Sequence, residues 1–411
     1  MTSPLAVEVD PLEVGLDPAR LARIDRHFAR YVEDGRLTGW LTLVSRRGRV
    51  AHLSCHGQRD VEAGLPVEPD TVFRIYSMTK PITSVAAMML YEEGAFELTD
   101  PVSRYLPVFA DLRVFQRGTA TKPITRPATE PVRIWHLLTH TAGLTYGFHH
   151  VHVVDEMYRR AGFEWGWPPD LDLAGCCAAW ASLPLLFDPG TEWNYSVATD
   201  VLGHLVEVVS GQSLDDFFAE RIFAPLGMTD TGFAVTEANA DRLAALYVAG
   251  TDGRPVRNDA MGRAVLRRPK MLSGGGGLVS TAHDYHRFAR MLAGRGELDG
   301  VRLLGRRTVD YMTSNHLPGG ADLETFGRPV FAETPFTGVG FGLGFGVMLD
   351  PVAHRTLSTV GEFTWGGAAS TVFWVDPAED LVVLFLTQLL PSNTHPIRSQ
   401  LRQLVYQSIV D

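Results

Sequence analysis

Strand-like runs lie at the two opposite ends of this chain, and a stretch of different character separates them. Near the N-terminus, Leu41 to Val44 and Val50 to Leu53 flank the turn-prone Arg46-Arg47-Gly48 and read as a hairpin. Near the C-terminus, Phe341, Leu343, Phe345, Val347 and Leu349 alternate with mostly glycine, and Thr371 to Val375 and Leu381 to Leu386 read as further strands. The simplest assembly is a mainly antiparallel sheet built from both ends. Two helices accompany it. Asp17-Pro18 is an N-cap with a first-turn proline before Leu21, Ile24, Phe28 and Tyr31 at helical spacing, and Ile397, Leu401, Leu404 and Val405 mark a terminal helix. Both are expected on one face of the sheet.

Between these blocks, over roughly 115–264, Arg133 to Leu138, Leu173 to Leu183 and Val197 to Val209 look helical, with Pro/Gly-rich loops between them. The pattern predicts an α/β fold of the α+β type. Residues 1–114 and 265–411 would form the α/β domain and 115–264 an inserted helical domain, with the active site in the cleft between them.

Charge and composition narrow the function. A formal net charge of -10 and the lack of any Lys/Arg run argue against a nucleic-acid partner. No apolar stretch is long enough for a membrane helix, and Met1 to Leu5 lack the basic and apolar regions of a secretory signal, so a cytoplasmic enzyme is expected. Three cysteines, two of them adjacent as Cys176-Cys177, cannot make a disulfide framework. His149, His150 and His152 have no partners at metal-ligand spacing, and no metal or organic cofactor is expected. Gly274 to Gly277 lacks the Lys-Ser/Thr of a phosphate loop and reads as a flexible turn before a helix capped by Thr281 and Asp284.

Basic positions here default to arginine: of 37 Lys plus Arg, only Lys80, Lys122 and Lys270 are lysine. Lys80 alone has a serine three positions before it, in Ser77-Met78-Thr79-Lys80. At the start of a helix that spacing puts both side chains on one face. A serine hydroxyl needs a base to become a nucleophile, and a desolvated lysine can take its proton. Arginine, with a pKa above about 12, cannot. No Gly-x-Ser-x-Gly occurs, which removes the α/β-hydrolase elbow as a rival. His136 and His140 are the bases a Ser-His-Asp alternative would need, but no positive signal supports that arrangement.

Several motifs in order resemble the β-lactamase-like serine hydrolases, a family that includes class C β-lactamases, DD-peptidases and family VIII carboxylesterases. They are Phe73 to Lys80, Leu98 to Val102, His136 to Leu144, Pro189 to Ser196, Pro225 to Met228 and Trp365 to Ala368. By this resemblance Tyr195, in Tyr195-Ser196-Val197, is the catalytic tyrosine that shares the Ser77 proton with Lys80. Val197 stands where β-lactamases carry an asparagine, and Trp365-Gly366-Gly367 stands where they carry Lys-Thr-Gly. Losing that cation removes the partner of a β-lactam carboxylate, so a small uncharged ester is the expected substrate. The resemblance also implies an oxyanion hole from the backbone N–H groups of Ser77 and Ala368. Trp365, Gly366, Gly367, Tyr146, Phe148 and Phe363 are the candidate substrate-binding residues, and the loop Leu317 to Phe336 is expected to shape selectivity. The predicted activity is a serine carboxylesterase acting through a Ser77 acyl-enzyme. An acyltransferase, a β-lactamase or D-aminopeptidase, and a catalytically silent binding protein are the alternatives.

Overall fold

The computed structural model describes residues 5–328 and 336–411. Met1 to Pro4 and residues 329–335 of the loop Leu317 to Phe336 lie outside the described residues. Helix α1 (Pro18–Glu33) begins where Asp17 accepts the Arg20 N–H at 3.0 Å, and it buries Leu21, Ile24, Phe28 and Tyr31. Strands β1 (Gly39–Arg46) and β2 (Arg49–Asp60) form the expected hairpin. Its two turn residues, Arg47 and Gly48, both have positive φ, which matches the twist of the strands they join. Strand β3 (Leu65–Pro66) extends this edge, and helix α2 (Thr79–Glu92) is buried on every side from Thr79 to Leu90. A helix buried all round belongs at the centre of a protein, and α2 lies there.

The middle of the chain contributes α3 (Val153–Arg160), α4 (Leu173–Ala181) and α5 (Ala198–Ser210), and α5 packs against α2. Helix α6 (Ala282–Ala293) starts at Thr281, whose hydroxyl accepts the Asp284 N–H at 3.2 Å. Strands β4 (Val339–Phe341), β5 (Gly346–Met348), β6 (Phe363–Gly366), β7 (Val372–Asp376) and β8 (Leu381–Leu386) follow, and helix α7 (Ile397–Tyr406) ends the order. The main sheet runs β4-β5-β6-β7-β8-β1-β2-β3 with antiparallel neighbours throughout. The two chain ends meet inside it, with Leu41 opposite Leu386 and Leu43 opposite Leu384. Phe28 of α1 and Leu401 and Val405 of α7 cover one face over Trp40, Trp374 and Phe385. Met78, Ile82, Tyr285 and Phe288 cover the other face over Phe373 and Leu384.

Two expectations differ in detail. The alternating run Phe341 to Leu349 is a hairpin, because the chain reverses at Gly342 to Phe345 and Gly344 has φ +95°. The span 115–264 is not wholly helical. It holds most of a hairpin, Arg113–Thr119 with Lys122–Pro127, and a second, Tyr247–Ala249 with Pro255–Arg257, whose first arm pairs in parallel with Leu389–Leu390. The arms of the second hairpin are three residues long and those of the first mix polar and apolar residues without a regular period, so no sustained alternation betrays them. Among the described residues no helix is long and apolar enough to cross a membrane.

Burial leaves a titratable liability in this core. His286 of α6 shares a 2.8 Å hydrogen bond with Ser45 of β1, and its pKa is pushed down to about 3, chiefly by desolvation. Between that value and the ordinary value of about 6.5 the unfolded chain binds the extra proton, so stability present above pH 6.5 is lost as pH falls. We expect the wild type to lose about 1 kcal/mol more than His286→Gln between pH 6.5 and 5.5 in urea unfolding. Equal losses in the two proteins would exclude His286 as the cause.

Candidate active site

Ser77 stands between a short strand and the start of α2, in a segment tied down on several sides. Phe73–Arg74 pairs with Val279–Ser280, the Ile75 N–H donates to the Leu278 carbonyl at 3.1 Å, and the Tyr285 hydroxyl donates to the Met78 carbonyl at 2.9 Å. The buried Arg74 side chain donates to Ala244 O at 2.7 Å and Gln388 Oε1 at 3.0 Å. This framework holds Tyr76, next to the nucleophile, at φ +43°, a conformation that costs a non-glycine residue roughly 1–3 kcal/mol. Thr79 to Glu92 then run as α2, so Ser77 and Lys80 face the same way.

Lys80 is 1% exposed, and its Nζ has three partners. It donates to Gly275 O at 2.7 Å, to the Tyr146 hydroxyl at 3.0 Å and to Ser77 Oγ at 3.3 Å. The carbonyl can only accept, so one N–H is always committed to Gly275. The other two positions face hydroxyls that accept from an ammonium and donate to a free amine. A proton can therefore pass between Ser77 and Lys80 without leaving a buried group unpaired.

The Gly275 carbonyl is itself held in place. Asp200 of α5, buried beside it, accepts the Ser273 hydroxyl at 2.6 Å and the Gly275 N–H at 2.9 Å. The Thr83 hydroxyl donates to Gly274 O at 2.7 Å. A Cβ at Gly275 would sit 2.5 Å from Asp200 Oδ2, so only glycine admits this approach. The run Gly274 to Gly277 is thus a packed support for Lys80, where the sequence suggests a flexible turn. Burial pushes the Asp200 carboxyl up, and Lys80 and the donors it accepts pull it back. Burial, with Asp200 and Tyr195 adding to it, raises Tyr146 well above the usual phenol range, which keeps it a neutral hydroxyl.

The two tyrosines take different places from those expected. Tyr146, expected at the substrate wall, turns its hydroxyl to Lys80. Tyr195 presents its ring to Lys80 at 4.5 Å, and its hydroxyl accepts the Trp365 indole N–H at 3.4 Å on the cavity wall. Beneath Tyr195 lies His140, whose ring nitrogens face Ser196 Oγ at 3.2 Å and Thr199 Oγ1 at 3.5 Å. Burial, then Lys80, hold His140 well below the ordinary imidazole range. His136 accepts the Arg133 N–H at 3.0 Å as part of a helix cap. Both histidines are engaged in structural bonds.

A cavity of about 130 Å³ opens at Ser77, walled by Phe148, Trp165, Trp193, Phe336 and Trp365. Gly366, Gly367 and Ala368 lie on the same wall. Tyr146, Phe148 and Trp165 stack in sequence with centroids 4.6 and 4.7 Å apart. No motif marks Trp165, whereas Trp193 lies in the run Pro189 to Ser196 and Phe336 ends the loop Leu317 to Phe336. Phe363 is not a cavity residue: it is buried in the core, edge-on to Phe345 at 5.3 Å. It shares a face of β6 with Trp365, but that face continues past the cavity into the interior. Among the described residues no group of three His, Cys, Asp or Glu is placed to hold a metal ion.

The sheet, the central helix and the Ser77–Lys80 contact define a serine-hydrolase-type enzyme of the β-lactamase and esterase clan. The sequence model of the Beta-lactamase family matches residues 24–407, and the chain belongs to that family. It is 34% identical to Esterase EstB of Burkholderia gladioli, with 98% of this chain and 99% of EstB aligned. Among solved structures it resembles EstCE1, described as a hydrolase with promiscuous acyltransferase activity, with a TM-score of 0.79, 29% identity and coverage of 94% of this chain and 99% of EstCE1. It likewise resembles a LovD6 mutant of simvastatin synthase from Aspergillus terreus, with a TM-score of 0.79, 26% identity and 99% of each chain covered.

A fluorophosphonate should add once to the wild type and not at all to Ser77→Ala in intact-mass spectra, and equal labelling of both would move the nucleophile elsewhere. Lys80→Arg keeps charge and loses the base, so labelling should slow by roughly 10²-fold or more in a timed series.

Proposed function

We propose that this protein is an acyltransferase, moving a small acyl group from an ester donor through Ser77 to an alcohol acceptor, with hydrolysis as the competing outcome. Lys80 takes the Ser77 proton as Oγ attacks the donor carbonyl. The negative charge that develops on the carbonyl oxygen is met by the backbone N–H groups of Ser77 and Ala368. As the intermediate collapses, the carbon–oxygen bond of the donor breaks and the departing alkoxide recovers the proton from Lys80. The Tyr195 hydroxyl, on the cavity wall, donates a hydrogen bond to that leaving oxygen. The acceptor alcohol reverses these steps: its proton passes to Lys80, its oxygen attacks the acyl-enzyme, and Ser77 is regenerated. Tyr146 and Gly275 hold Lys80 in register throughout.

The observation that carries the preference for transfer is the aromatic wall around Ser77. An acyl-enzyme bedded among Phe148, Trp165, Trp193 and Trp365 gains from an acceptor that brings apolar surface, and water brings none. The likeness to EstCE1 and to simvastatin synthase supports transfer over plain ester hydrolysis. Plain hydrolysis uses the same acyl-enzyme, and the likeness to EstB keeps it as the second reading. With Trp365-Gly366-Gly367 in place of a cationic motif, β-lactam turnover is not expected.

The test is partition. With p-nitrophenyl butyrate as donor and rising benzyl alcohol, benzyl butyrate should become the main product while p-nitrophenol release holds or rises. Butyric acid as the sole product at every alcohol concentration would leave a plain esterase.

A further inference from the structure

We propose that Arg398 is a positioning residue for the oxyanion hole, pinning and polarising the peptide unit that ends in the Ala368 N–H. The inference rests on the reading of that N–H as an oxyanion donor. The carbonyl of Gly367 and the N–H of Ala368 belong to one planar peptide and point in opposite directions. Arg398 Nη2 donates to that carbonyl at 3.1 Å and to the Thr371 carbonyl at 3.2 Å. The Gly367 N–H donates to Thr371 O at 2.9 Å, closing the loop, in which Ser370 has φ +65°. One guanidinium nitrogen thus grips both carbonyls that define the loop, and the Ala368 N–H must point away from it. Among the described residues no acceptor takes that N–H, and Ala368 shares the cavity wall with Ser77. A charged donor on the carbonyl also draws electron density from the peptide and makes its N–H a stronger donor.

The glycines fit this role. A Cβ at Gly366 would collide with the Arg398 guanidinium, and a Cβ at Gly367 would collide with the Ile75 carbonyl, two residues before Ser77. Gly366 makes room for the arginine, and Gly367 brings the loop against the nucleophile's own segment. Arg398 is the second residue of α7, where the helix dipole disfavours a cation, so the helix gains nothing from it there. The side chain reaches the pair of carbonyls from there.

The decisive reading is the infrared stretch of the acyl carbonyl on Ser77, formed in flow from a 13C-labelled p-nitrophenyl butyrate, with steady-state kinetics and thermal midpoints alongside. In the wild type the band should lie below that of the free ester in water. In Arg398→Met it should move back towards the free ester, with kcat down roughly 10- to 100-fold and KM held within about twofold. Arg398→Gln, which keeps a neutral N–H donor, should fall between the two, and it decides the matter if the methionine variant does not fold. A wild-type band with no shift would remove Ala368 as an oxyanion donor, and this inference with it. A shifted wild-type band that neither folded variant moves would overturn the role of Arg398 alone. Loss of kcat and KM together with an unmoved band would make Arg398 a structural residue only.

Discussion

The buried amine of Lys80 is the interaction around which the rest of this structure is arranged. A charge taken out of water is stable only where every proton finds a partner, and isolated burial costs several kcal/mol. Here the three partners come from three parts of the chain, Ser77 before α2, Tyr146 in the loop preceding α3 and Gly275 before α6, and Asp200 of α5 holds Gly275 from behind. The packing of α2 against α5 and the tight passage of Gly274 and Gly275 along them follow from the need to close that shell.

The periodic features were legible in the sequence. Helices α1 and α7 follow from spacing, because one face of each is pressed into the core, and strands β1, β2, β7 and β8 follow from apolar runs and turn chemistry, β1, β7 and β8 being buried on both faces. Ser77 and Lys80 were legible for a compositional reason: a chain that writes its cations as arginine keeps lysine where a proton must move. The supports were not. A backbone carbonyl such as Gly275 leaves no side-chain signature. Which of two tyrosines offers its hydroxyl to Lys80 is decided by the loops that carry them. Phe363 misled because residues two apart on a strand share a face, while a cavity covers only part of it. Gly366 and Gly367, candidate substrate-binding residues, line the cavity, and their lack of side chains also admits Arg398 and the Ile75 carbonyl.

The proton machinery and the substrate wall lie on different sides of Ser77. Lys80 and Asp200 stand on the buried side, about the glycine loop, and the cavity on the open side combines aromatic rings with Glu362, Arg398 and Arg402. An arrangement of this kind discriminates among acceptors by their apolar bulk, since adding surface to an aromatic wall is worth on the order of 25 cal/mol per Å² while hydroxyl chemistry stays the same.

Strand β1 is made early and its neighbour β8 late, yet Leu41 and Leu386 sit side by side at the centre of the sheet. The contact is continued at the termini, where the Val410 N–H donates to Gly15 O at 3.0 Å and Asp411 pairs with Arg46. On the ribosome, the edge of β1 must wait for residues 381–386 before it is paired. The order of synthesis thus delays assembly of the sheet, and with it the wall carrying Ala368, until those residues have been made. A nascent chain would carry Ser77 and Lys80 long before it could use them.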